Sequence, residues 1–274
     1  MPNMKQLIII ILFLLLGITP SFSQLGFSHE VGVVAGPLQF RSDFGVRSNE
    51  RTNFGNTGFG VGIVHYINFA YRADCNCYTT DNYFNDHFKL RNEISWNRTE
   101  LTHFGEFVTP DNTSLEADQL RAQRGRAQNF DIGSQLEWFP LSIRSFQNFA
   151  YRVAPYISLG VHYTLFDPRN STTDVNNDGL VDVNDYFNPW VQAQIDNGDP
   201  TGLGFLRDNA GGTFSVVSSA GIRYKIGPLS DLVFDLRWQI YFRDDIDGVD
   251  HLLDSNRFND WLVWFNFGYI YYLN

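Results

Sequence analysis

Residues 261–274, WLVWFNFGYIYYLN, decide the fold, because their alternation states which side of a sheet meets water. Trp261, Val263, Phe265, Phe267, Tyr269, Tyr271 and Leu273 share one face; Leu262, Trp264, Asn266, Gly268, Ile270, Tyr272 and Asn274 share the other. The first face is wholly apolar or aromatic. A soluble sandwich strand could show the same pattern, so the test is whether other strands repeat it with polar residues opposite.

They do. In Asp231–Phe242, the residues Leu232, Phe234, Leu236, Trp238, Ile240 and Phe242 oppose Asp231, Asp235, Arg237 and Gln239. In Tyr151–Phe166, Val153, Ile157, Leu159, Val161, Tyr163 and Leu165 oppose Arg152, Ser158, His162 and Thr164. Thr213–Ile226, Phe130–Phe139, Phe88–Asn97, Gly58–Tyr71 and His29–Phe40 complete a set of eight strands. Gly58, Gly60 and Gly62 fall on one face, where a narrow interior must admit side chains from opposite strands. His65 interrupts the apolar face of its strand and is expected near the headgroup level.

The polar faces collect Glu30, Glu93, Asp131, Glu137, Asp231 and Asp235 against Lys89, Arg91, Arg152, Arg223, Lys225 and Arg237. A barrel with a greasy interior would reverse this arrangement, so charge inside and apolar residues outside imply a barrel standing in lipid. An eight-stranded barrel is filled by its own side chains, and balanced charge pairs across the lumen, which argues against an open pore. The expected fold is an all-β, eight-stranded antiparallel transmembrane β-barrel of the outer-membrane kind, with long extracellular loops. The connections 41–57, 98–129, 167–211 and 243–260 are long, whereas 141–149 and 227–230 are short. The first group is expected outside the cell, the second and both termini in the periplasm.

The start, MPNMKQLIIIILFLLLGITPSFSQ, reads as a secretory signal peptide over residues 1–23: Lys5, an apolar run from Leu7 to Leu16, then Ser21-Phe22-Ser23. Residues 24–274 form one barrel domain. No other segment offers eighteen consecutive apolar residues, so strands must do any spanning. Aromatic residues make up 16% of the chain, with 25 Phe and 13 Tyr, which suits lipid-level girdles. A net charge of -10 excludes nucleic acid as a partner class, since a phosphate backbone demands a basic face.

One motif points to a metal. In DVNNDGLVDVND, residues 174–185, Asp174, Asn176 and Asp178 take positions 1, 3 and 5 of an EF-hand-type loop, Gly179 makes the turn, and Leu180 offers its carbonyl. Asp182 and Asp185 take positions 9 and 12, an all-oxygen set suited to a structural Ca2+. The final Asp resembles the calcium repeat of dockerin modules. The competing reading is a solvated acidic loop. Calcium would stiffen a long loop with little else to pack against, and Tyr186–Ile195 is expected to form a short helix.

Cys75 and Cys77, in RADCNCY within the turn 72–86, are the two cysteines of the chain. Oxidising conditions permit a local disulfide between them; a redox or partner-linking role is the alternative. Loop 243–260 carries Asp244, Asp245, Asp247, Asp250, Asp254 and Asp260; a second cation is one reading, but the spacing fits no loop motif and a solvated acidic rim is the reading favoured. SLEADQLRAQRGRAQ has helical propensity and carries Arg121, Arg124 and Arg126, suited to lipopolysaccharide phosphates or to solubility. No G-x-S-x-G or H-E-x-x-H occurs, and His103, His162 and His251 are catalytic candidates only by residue type, so no enzyme is expected.

The stretches HEVGVVAGP, GNTGFGVGIVHYINFAYRADCNCY, FPLSIR and FGYIYYLN resemble an uncharacterised family of outer-membrane barrels from Bacteroidota. At fold level the chain is also similar to PorG, a small barrel associated with type IX secretion, through barrel size, leader and an E-x-G-V opening pattern. The resemblance implies an accessory subunit of an envelope complex, set in outer-membrane lipid and meeting periplasmic or lipoprotein subunits. No functional residue carries over. The alternatives are a barrel that binds or transports a hydrophobic small molecule and, third, a rim enzyme.

Overall fold

The computed structural model describes residues 28–46, 49–69, 83–254 and 258–273. The leader and the Cys75–Cys77 turn lie outside them. Nine strands form: β1 Ser28–Arg41, β2 Thr57–Asn68, β3 Phe88–Leu101, β4 Arg124–Trp138, β5 Val153–Phe166, β6 Arg169–Ser171, β7 Gly211–Gly227, β8 Ser230–Tyr241 and β9 Trp261–Tyr272. Eight of them, all but β6, run up and down in sequence order, each antiparallel to its neighbours. Pairing of β1 with β9, as in Val33 opposite Tyr269, closes the cylinder. A closed eight-stranded antiparallel barrel is thus the fold, and closure leaves no sheet edge to be solvated.

The outer wall is the apolar face read from the alternation. Val33, Ile63, Ile94, Ile132, Leu159, Ile240 and Phe267 are all exposed there. Aromatic rings collect at its two ends: Phe59, Trp96, Phe130, Phe214 and Trp238 toward the long loops, and Phe88, Trp138, Tyr224 and Tyr269 toward the short turns. Two girdles bounding an apolar band are what a bilayer's two interfaces select.

Inside, three layers follow one another. At the turn end an apolar plug of Tyr66, Phe139, Ile143, Phe146 and Tyr156 is seated by the helix Ile143–Gln147. The middle is charged. At the loop end Phe40, Phe44, Leu101, Tyr241, Leu262 and Trp264 join apolar residues of the loops in a second core. The narrow interior explains the glycines of β2: a Cβ on Gly60 would stand 2.4 Å from the Trp264 ring, whose Nε1 donates to the Gly36 carbonyl at 3.1 Å.

Strands β3 and β4 are longer than their alternation suggests. They run to Leu101 and from Arg124, so the loop between them is 102–123, and Arg124 and Arg126 sit on a strand. The reason is that Gly125 and Ala127 continue the inward face, Gly125 lying so close to the Phe44 ring that a Cβ there would sit at 2.3 Å. The helix Leu115–Ala122 forms as its propensity implies, capped by Ser114 Oγ accepting from Ala117 N at 3.2 Å. Arg152 is exposed and precedes β5, so it does not belong to the lumen set.

Candidate functional site

Three places among the described residues bring chemically capable side chains together: the lumen, the loop head and the acidic loop 174–185. In the lumen the six acids face five bases, all at most 2% exposed. Glu93 sits between two guanidiniums, with Arg237 at 2.6 Å and 2.7 Å in a bidentate fork and Arg91 at 2.7 Å. Arg91 continues to Asp235 at 2.7 Å. Glu30 receives Lys89 at 2.6 Å and Arg223 at 2.5 Å. Arg223 lies 3.6 Å from Asp231, which pairs in turn with Lys225 at 3.4 Å. Asp131 accepts from Thr164 and Gln239 at 2.5 Å and 2.7 Å.

Arg237–Glu93 and Arg91–Asp235 join β8 to β3 and Arg223–Glu30 joins β7 to β1, which ties separated walls together. Burial on this scale is tolerable only because each charge meets an opposite charge or, as at Asp131, hydrogen-bonding groups. These buried side chains fill the interior of the described barrel. His162 is buried here against Gly133, with Gln135 Nε2 3.3 Å away and the buried Ser215 opposite it in register on β7.

The loops form a folded head. Trp190, on the helix Asn188–Asp196, lies at its centre, edge-on to Phe187 and Phe205 and stacked on His251 at 4.7 Å. Val191, Phe205, Ile246 and Val249 are buried around it. Backbone bonds stitch one loop to another: Arg207 N donates to Gly248 O and Asp250 N to Phe205 O, both at 2.8 Å, while Gln119 Nε2 donates to Asn184 O at 2.7 Å. The expectation that 167–211 has little to pack against is therefore corrected. Its aromatic residues Tyr186, Phe187, Trp190 and Phe205 supply the apolar face that the sequence reading passed over.

A cavity of about 420 Å³ opens in this head, lined by Val46, His103, Phe104, Phe107, Leu120, Phe187, Trp190 and His251 with Asp43 and Glu116. Its walls are chiefly apolar, with two imidazoles as the polar handles. His103 is half-buried, stacks on Phe44 at 5.0 Å and lies 3.3 Å from Gln123 Oε1. Desolvation among these rings pushes its pKa down to about 4, so the cavity stays uncharged there at neutral pH.

Loop 243–260 is not a solvated rim. Asp247 and Asp260 are fully buried and Asp245 nearly so. Asp260 Oδ2 accepts from Ile246 N at 3.0 Å and Asp247 N at 3.2 Å, and Asp247 Oδ2 accepts from Asp43 N at 2.8 Å. These carboxylates fold the loop by accepting backbone N–H groups. Among the described residues, Asp43, Asp244 and Asp260 bring one oxygen each to within 4.8 Å of one another.

In the 174–185 loop, the turn falls where the motif places it, with Gly179 at φ +91° and Asn177 at +59°. Asp174 accepts from Asp178 N at 3.2 Å and Gly179 N at 2.9 Å; Asn176 Oδ1 accepts from Asp178 N at 3.0 Å; Asp178 Oδ1 accepts from Leu180 N at 2.9 Å. Asp182 caps Asn184 N at 2.8 Å. Asp185 is buried at the base, accepting from Val175, Asn176 and Asp182. Against the burial that would raise it, these three N–H groups hold its carboxyl below the ordinary range. The side-chain oxygens of the loop are thus turned on its own backbone N–H groups, and Asp174, Asp178, Asp182 and Asp185 do not bring three carboxylate oxygens within 4.8 Å of one another.

No protein-family model matches the chain, and no curated protein matches it. Among solved structures the chain is similar to Ail, the attachment invasion locus protein of Yersinia pestis, at 8% identity over 90% of this chain and 99% of that one, TM-score 0.40. It is similar to Neisserial surface protein A at 16% identity, 90% and 98% coverage, TM-score 0.41. A major outer membrane protein from Thermus thermophilus matches at 13% identity, 89% and 99% coverage, TM-score 0.44.

Proposed function

We propose that the protein is a non-conducting, non-enzymatic outer-membrane barrel that anchors a folded binding head and serves as an accessory subunit of an envelope complex. The observation that carries this reading is the lumen. It is closed by interlocked ion pairs and bounded at the two ends by apolar packing, so passage is not the barrel's task. The parts left to act are the surfaces. By the usual asymmetry of such barrels the long loops stand outside the cell, with both termini and the short turns in the periplasm. There the turn 72–86, with Cys75 and Cys77, is the region that would meet periplasmic or lipoprotein subunits. A place in type IX secretion or gliding rests on the sequence resemblance alone. Calcium held by Asp174, Asn176, Asp178, Leu180, Asp182 and Asp185 would stiffen the tip of the longest loop.

A second reading has its own observation. The aromatic cavity beside Trp190 and His251 has the size and lining of a small-molecule site, which favours a head that captures a small apolar ligand. Isolation from native outer membranes in mild detergent, followed by mass spectrometry of bound proteins and small molecules, separates the two. Recovery of secretion, gliding or lipoprotein subunits supports the accessory role; the barrel alone with a bound apolar compound supports capture. In planar bilayers conductance should be near zero, and large stable openings would overturn the sealed-lumen argument.

A further inference from the structure

The outer wall carries one break in its apolar face. His65 on β2, Asn92 on β3 and Ser134 on β4 are directly opposite one another in register, His65 with Asn92 and Asn92 with Ser134. All three point away from the lumen. Ser134 Oγ donates to Asn92 Oδ1 at 2.7 Å, Asn92 Nδ2 lies 3.4 Å from His65 Nδ1, and His65 Nε2 lies 3.1 Å from Nδ1 of His29 on β1. The two imidazoles stack at 5.2 Å. Four adjacent strands thus share one continuous polar run.

Its depth sets it apart. Asn92 lies midway between Phe88 and Trp96, and Ser134 midway between Phe130 and Trp138, so each stands about 13 Å along its strand from either girdle. His65 sits at a matching height, with Ile63 and Ile67 on either side. This corrects the expectation that His65 marks the headgroup level. Elsewhere the corresponding stretch of the outer wall has one polar side chain, Ser218. Hydrocarbon at that depth offers no hydrogen bonds, and polar side chains there are costly unless they meet a partner.

We infer that this run is an interface within the membrane and that its occupant is a second copy of this chain. His29 stands at the turn end of β1, but at Asn92 and Ser134 depth excludes water and lipid headgroups, which leaves protein. The internal bonds use only part of what the side chains offer, since the amide has two N–H groups and the hydroxyl two lone pairs. Serine, asparagine and imidazole are each donor and acceptor at once and carry no fixed charge, so the patch complements itself under twofold rotation, as an isologous contact requires. A partner of opposite charge has nothing here to meet. The apolar flanks Ile63, Ile94 and Ile132 on one side and Ile67, Leu90 and Leu136 on the other would continue the contact. The inference goes beyond the proposed function and does not depend on it.

The test is cross-linking in native outer membranes. Ser134→Cys, in a chain whose Cys75 and Cys77 are replaced by serine, should give a species of twice the monomer mass with a short bis-maleimide. Leu236→Cys, on the opposite wall in β8, should not. Replacing the rest of the run with His65→Leu and Asn92→Leu in the Ser134→Cys chain should cut that cross-link roughly tenfold, while the heat-modifiable gel shift that reports a folded barrel stays unchanged. A Ser134→Cys product with a different polypeptide, monomer alone, or equal dimer from Leu236→Cys would each overturn the inference.

Discussion

The barrel and the loop head are built on opposite plans within one chain. The barrel wall turns Ile94, Ile132 and Leu159 outward and keeps Glu93, Arg91 and Arg237 inside, whereas the head buries Trp190, Phe205 and Val249 and leaves Glu116, Asp178 and Asp196 outside. The solvent explains the inversion. Lipid makes burial of apolar side chains unprofitable in the wall, so the wall's specific bonds are ionic and internal; in the head, water restores the hydrophobic drive. The charged interior therefore ties opposite walls together, and the apolar head core packs the loops into one unit.

The comparison breaks first, if it is wrong, at Glu93. Glu93→Ala strands the buried Arg237 guanidinium and leaves Arg91 with Asp235 alone at close range, and the loss should be on the order of 3–5 kcal/mol, read as a fall in the urea midpoint of the reconstituted barrel. Glu93→Leu together with Arg237→Leu should recover part of that loss, because fewer charges are left unpaired. Unchanged stability of Glu93→Ala would mean that water, not Glu93, holds the guanidiniums.

Next comes Trp190→Ala, which should cost the head about 3 kcal/mol, the lower end for a buried Trp because its cavity already gives slack. Limited proteolysis should then cut within 167–210 while the heat-modifiable shift of the barrel persists. Loss of that shift would show that head and barrel fold as one unit. A smaller effect is expected for Asp174→Ala or for a calcium chelator, with faster cleavage confined to 172–185. Equal cleavage of mutant and parent, with and without chelator, would end the calcium proposal.

The smallest effect is on pH. The His103 imidazole titrates near 4 when folded against 6.5 when exposed, so the unfolded head binds the extra proton. Its contribution is fully present above pH 6.5 and declines as pH falls toward 4. Protease resistance of the head should therefore drop between pH 7 and pH 5, and His103→Phe should flatten that slope. A slope unchanged in the variant would assign it to other groups.

Much of the wall was legible because a strand's period of two writes its two environments directly into the chain. Trp264 is the instructive exception. Alternation places it inside, but only the structure lays it over Gly60. Loop 243–260 misled for a similar reason: its aspartates look solvated in a list of charges, and their burial follows from backbone N–H groups contributed by residues near and far in the chain. Asp43, which lies beside Asp244 and Asp260, comes from the opposite end of the sequence.

By itself the sequence determined that eight alternating strands close into a barrel with its charge inside, since local periodicity needs no knowledge of neighbours. Which charges pair, that the loops join into one core around Trp190, and that His65, Asn92 and Ser134 align at one depth were decided by tertiary structure. Register and cross-barrel distance bring together residues that the chain itself separates by dozens of positions.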